Sequence, residues 1–127
     1  MNVPVPAQVR LRDSVTEVVA ADTGCVVVTG SHGGRSAAVY ARRIPARLYV
    51  FNDAGIGKDE AGVAALPLLA GDGIAAVTVA HASARIGDAC DSWESGVISR
   101  VNQTAADTGL IAGELLRDAV QRLLERD

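Results

Sequence analysis

Cys25-Val26-Val27-Val28-Thr29-Gly30-Ser31-His32-Gly33-Gly34 is an apolar, β-branched run that ends in small polar residues and glycine. A continuous apolar run without alternation marks a strand covered on both faces. The arrangement recurs twice. Arg47-Leu48-Tyr49-Val50-Phe51-Asn52-Asp53 leads into Ala54-Gly55-Ile56-Gly57, and Ile74-Ala75-Ala76-Val77-Thr78-Val79-Ala80-His81 leads into Ala82-Ser83-Ala84-Arg85-Ile86-Gly87-Asp88. Helical patterns fill the gaps. Residues 36–43 are rich in Ala and Arg and stop before Pro45, which discourages helix in the residue preceding it. Residues 58–70 carry Ala61, Ala64, Ala65, Leu68 and Leu69 at helical spacing and close at Gly71-Asp72-Gly73. Pro67 inside that pattern predicts a kink or a break.

Strands alternating with helices of this length mean βαβ units, right-handed crossovers and a mainly parallel sheet. The expected fold is a small three-layer α/β sandwich built from Rossmann-like or flavodoxin-like βαβ units. Its parallel core comes from residues near 25–30, 48–52 and 74–80. The ends are read more coarsely, with Val9 to Val19 as an edge strand and a short helix, and Gly96 to Ser99 as a further short strand. From Thr104 to Glu125 one helix is expected, its stripe formed by Leu110, Ile111, Leu115, Ala119, Leu123 and Leu124 and its start capped by Asn102 or Thr104.

The 127 residues suit a single α/β domain over 1–127. Hydrophobic residues at 49% and charged residues at 21% argue against disorder. Twelve basic against fifteen acidic side chains give a formal charge of −3, so no excess of cations exists to neutralise nucleic-acid phosphates. Aromatic residues at 3% weaken any base-stacking surface. No apolar run reaches the ~18 residues of a membrane span. Met1 to Gln8 lacks the basic and apolar regions of a secretory signal. Cys25 and Cys90 lie in contexts that read as a buried strand and a polar loop, without metal-ligand spacing, and point to a reduced, cytoplasmic protein. No metal site is expected and no cofactor is named. A small sheet with open edges favours a homo-oligomer.

In an open parallel sheet, ligands bind beyond the carboxyl ends of the strands. All three glycine-containing tails fall there, and both histidines of the chain lie on them. Glycines at Gly30, Gly33 and Gly34 let backbone approach a ligand, although the spacing matches neither dinucleotide nor phosphate-loop patterns. Ser31 and His32 on the first tail, Asn52, Asp53 and Gly55 on the second, and His81, Ser83 and Arg85 on the third are the candidate ligand groups. Imidazoles exchange protons near neutral pH, which makes His32, Asp53 and His81 the candidate acid–base set. Arg85 can grip a carboxylate or pair with Asp88 on its own loop. Asp59 and Glu60 read as opposing the positive end of a helix, and Trp93 as packing its loop.

The chain resembles a family of small bacterial α/β proteins that share a Gly-Ser-His-Gly-Gly turn, an Asn-Asp-Ala-Gly strand end and an Ala-Arg-Ile-Gly-Asp loop. Here these are Gly30 to Gly34, Asn52 to Gly55 and Ala84 to Asp88, and the likeness runs from about Gly24 to Asn102. The resemblance implies a shared rim site and leaves its chemistry open.

Two functions are expected from these residues. The first is binding of a small polar or anionic metabolite at the rim, with acid–base chemistry of isomerase, lyase or hydrolase type if it is turned over. The alternative is a non-catalytic oligomeric module whose glycine turns are purely structural, with no ligand site.

Overall fold

The three apolar runs become adjacent parallel strands in a computed structural model that describes residues 3–126 of the chain. The sheet has five strands in chain order: β1 (Val9–Arg12), β2 (Val26–His32), β3 (Leu48–Asn52), β4 (Ala76–Val79) and β5 (Ile98–Val101). β1 to β4 are parallel, and β5 runs antiparallel to β4. The fold is therefore α/β with a mostly parallel sheet.

Side chains along each strand alternate between two cores. Val26, Val28, Leu48, Val50, Val77 and Val79 face one; Val27, Tyr49, Phe51 and Ala76 face the other. Because the parallel strands follow chain order, right-handed crossovers place their connections on a single face. That face carries the 3-10 turn Val15–Glu17, helix α1 (Arg35–Ala41) and helix α2 (Ala65–Gly71), packed through Ala37, Ala38, Ala41, Leu66 and Leu69. The opposite face is covered by the later elements α3 (Ala89–Ser95), α4 (Gln103–Ala106) and α5 (Leu116–Glu125).

The second expected helix is shorter than its pattern. Residues Lys58–Val63 form a 3-10 stretch in which Asp59 and Glu60 are left-handed, and regular helix begins only at Ala65. Pro67 then sits in the first turn of α2, where its missing N–H has no partner to lose. The last helix also differs from the expectation. It is divided into α4 and α5 by a loop in which Gly109 and Gly113 take positive φ of 94° and 98°. Leu110 is buried in that loop and Ile111 stands exposed, so the apolar stripe continued across a segment that is not helical. Leu116, Ala119, Val120 and Leu123 do cover the sheet. Cys90 and Trp93 lie on α3 rather than in a loop. Trp93 is fully buried, and its Nε1 donates to the Pro4 carbonyl at 3.0 Å.

Asn102 caps α4 and does more besides. Its Oδ1 accepts from Ala76 and Ala105 N–H, and its Nδ2 donates to Leu66 and Ile74 carbonyls. At the opposite edge, Arg12 grips buried Asp22 through Nε (3.1 Å) and Nη2 (2.8 Å). Burial alone would raise the Asp22 carboxyl. The Arg12 hydrogen bonds, the Val19 N–H and the charges of Arg12 and Arg10 outweigh it and hold the group below the usual carboxylate range. The unfolded chain binds that proton more readily, so the stabilisation is whole at neutral pH and fades as pH falls from about 4 through the folded value. Asp22→Asn is expected to cost ~1–3 kcal/mol at pH 7, below the figure for a fully dry pair because Arg12 stays partly in water. In urea unfolding of both proteins between pH 7 and pH 2, the gap should narrow below about pH 4. A gap independent of pH would contradict the pair's role.

Candidate functional site

The rim is built by β2 and β3. Val28 pairs with Val50 and His32 with Asn52, so Thr29, Gly30 and Ser31 stand opposite Phe51 alone. The bulge sets three residues of β2 against one of β3 before pairing resumes at His32. Gly33 N–H donates back to the Asn52 carbonyl at 2.9 Å, and Ala65 N–H donates to the Gly33 carbonyl at 2.8 Å.

The glycines of the first tail are places where other groups come close. A Cβ at Gly30 would strike the backbone of Gly87 and Asp88, whose loop lies on it through a Gly87 N–H to Gly30 carbonyl bond of 2.7 Å. One at Gly33 would lie 2.7 Å from the Gly62 carbonyl, and one at Gly34 would lie 2.8 Å from the His32 ring. Gly34 thus leaves room for the imidazole to fold over the start of α1.

Asn52 and Asp53 are buried and bonded within the protein. Asn52 Nδ2 donates to the Ala84 carbonyl at 3.0 Å, and its Oδ1 accepts Ala54 N–H at 2.8 Å. Asp53 Oδ1 accepts Gly55 N–H at 2.8 Å and His81 N–H at 2.9 Å. Ser31 Oγ accepts Val15 N–H, and Ser83 Oγ donates to Ala80 and accepts from Val97. Arg85 is exposed and sits 3.6 Å from Asp88, its own-loop partner. The His81 side chain is exposed and lines neither of the two clefts that His32 borders.

His32 borders both clefts, and it is the one sequence-predicted acid–base residue to do so. The smaller, about 290 Å³, is walled by Ser14, Thr16, Ser31, Ser36 and Tyr40. The larger, about 680 Å³, lies between the start of α1 and the loop after β3, where Arg35, Ser36, Lys58 and Asp59 join Gly34 and Ala54. Ser36 touches both, and Gly55 and Gly30 line neither. Among the described residues, the side chains of His32, Arg35 and Lys58 take part in no hydrogen bond or ion pair. No group of three or more His, Cys, Asp or Glu among the described residues is arranged to hold a metal.

The loop that forms the far wall is left-handed almost throughout. Ala54, Gly55, Ile56, Gly57, Asp59 and Glu60 have φ between 51° and 78°. Left-handed backbone is costly for a β-branched residue. Ile56 holds it because its side chain packs against the core around Tyr49 and Phe51, while its N–H and carbonyl are tied to Asp53 and Gly62. Two cleft residues are not among the sequence candidates: Asp59 reads there as a helix-end charge and Lys58 as the start of a helical pattern, and the turn that brings them to the cleft comes from this backbone.

Searches against protein-family models, curated proteins and solved structures found no match for the chain.

Asn52→Ala should destabilise the free protein by ~1–3 kcal/mol, because it strips partners from the buried Ala84 carbonyl and Ala54 N–H. Chemical unfolding measures this directly. A change within about 0.5 kcal/mol would contradict a structural role.

Proposed function

We propose that the protein binds a small anionic metabolite in the cleft between the start of α1 and the left-handed loop, with His32, Arg35 and Lys58 as its ligand groups. The observation that carries this reading is the convergence of three partner-free basic side chains on one cleft of about 680 Å³. Charged side chains that a fold needs for itself are paired, as Arg12 and Asp22 are. His32 and Arg35 line the α1 side of the cleft and Lys58 the loop side, and Asp59 is the single acidic side chain among the lining residues, so basic groups outnumber acidic ones there. The cleft is within the ~300–1,000 Å³ common for small-molecule sites. Arg35 offers a two-point grip on carboxylate or phosphate, and Lys58 a compact charge.

The reading is one of binding, with turnover left to His32. Asp53, the expected partner base, already receives two backbone N–H groups on Oδ1, and the cleft wall does not include it. The rival reading of a purely structural module gains support from the bonded state of Asn52, Asp53, Ser31 and Ser83, but gives no reason for the unpaired Arg35 and Lys58 side chains. Self-association stays part of the proposal, since β1 and β5 end the sheet and Val39 and Tyr40 stand exposed on α1. So does a cytoplasmic setting, supported by two free thiols, Cys25 and Cys90. No helix among the described residues is long and apolar enough to cross a membrane.

Thermal-shift titration with inorganic phosphate, against chloride at equal ionic strength, tests the reading. A ligand at 100 times its Kd adds ~2.7 kcal/mol of apparent stability. Phosphate is expected to raise the Tm of the wild type. His32→Ala and Arg35→Ala should lose that response and keep the Tm of the free protein, because both side chains are exposed. No anion response at millimolar phosphate, or an unchanged response in both variants, would refute the site.

A further inference from the structure

We infer that the ligand is amphipathic, with an anionic head in the cationic cleft and an aliphatic or aryl body in the groove between α2 and the end of β5. The inference rests on the binding reading above and names the class of molecule that the site takes. The groove is about 560 Å³, and its walls include Val63, Leu66, Pro67, Leu68 and Val101. It shares Arg35, Asp59 and Ala64 with the cationic cleft, so the two cavities meet along one wall. Arg35 stands at that junction without a partner among the described residues.

Beyond Arg35 and Asp59 at the junction, the polar groups along the groove are already occupied. Arg100 and Glu60 lie 3.5 Å apart and neutralise each other. Asn102 lines the groove, yet its carboxamide spends two N–H donations and two acceptances on backbone inside the protein. Between these occupied groups the walls present the hydrocarbon of Val63, Leu66, Pro67, Leu68 and Val101. Val63 and Leu66 are nearly buried, and Leu68 on the lip keeps 39% of its surface in water. A molecule that reaches from Arg35 into this groove removes apolar surface from water on both partners. A bare phosphate or a polyol gains nothing there.

Isothermal titration of the full chain with inorganic phosphate, acetate, hexanoate, octanoate and hexanol tests this. Each methylene buried is worth ~0.8 kcal/mol, which converts to about fourfold in Kd. Affinity is expected to rise steeply from acetate to hexanoate to octanoate, and hexanol should bind more weakly than hexanoate. Leu68→Gln, at an exposed position, should flatten the dependence on chain length and leave phosphate binding at the wild-type level. In NMR spectra, the amides of Leu68, Val101 and Gln103 should shift with octanoate and not with acetate. Phosphate binding with carboxylate affinities independent of chain length would overturn the amphipathic ligand and leave the cationic cleft standing. Failure of every anion to bind would overturn both.

Discussion

Two adjacent buried side chains, Asn52 and Asp53, hold the rim of this sheet together. Between them they accept three backbone N–H groups and donate to one carbonyl, reaching forward to Ala54 and Gly55 and across to His81 and Ala84. Polar atoms at such depth carry a large penalty unless satisfied, so the loops that satisfy them are fixed in turn. The chain leaving β3 is bent at once into left-handed conformation, and Ile56 is pressed onto the core. Lys58 and Asp59 follow from that turn, and with them the far wall of the cleft.

The order of the strands decides where a cleft can form. In doubly wound sheets a crevice opens where successive connections leave for opposite faces. Here β1 to β4 follow one another in order, and their connections share the face carrying α1 and α2. The tails of β2 and β3 consequently lean the same way and pack on each other through Gly33 and Gly62, leaving open space beside α1 instead of between the strand ends. His32, at the end of the bulged β2, lies on that side. His81, at the end of β4, does not reach either cleft that His32 borders.

The strands are legible because three continuous β-branched runs have few alternatives, and Asn102 is one of the two residues that read as a cap. The terminal segment reads as one long helix in the sequence, and is two, for a physical reason. Leu110 keeps the apolar period while sitting in a loop set by Gly109 and Gly113, and periodicity alone does not distinguish a buried loop residue from a helical one. The break expected at Pro67 lies earlier, before Ala65, because left-handed Asp59 and Glu60 leave no mark in composition. Asn52 and Asp53 read in the sequence as ligand groups at the rim, and the structure has both bonded to backbone instead. Sequence alone does not say whether such a pair awaits a ligand or already holds backbone, since both uses need the same residue types.

The central claim is that the Asn52–Asp53 clasp, and not an occupied ligand site, orders the loops around the cleft. Amide hydrogen exchange of the free protein, followed by NMR, tests it most directly. The N–H groups of Ala54, Gly55 and His81 lie in loops and bond only to these side chains. The account predicts that in the absence of any added ligand all three exchange at least ~100-fold more slowly than in an unstructured chain. Exchange of the three at unprotected loop rates would contradict it.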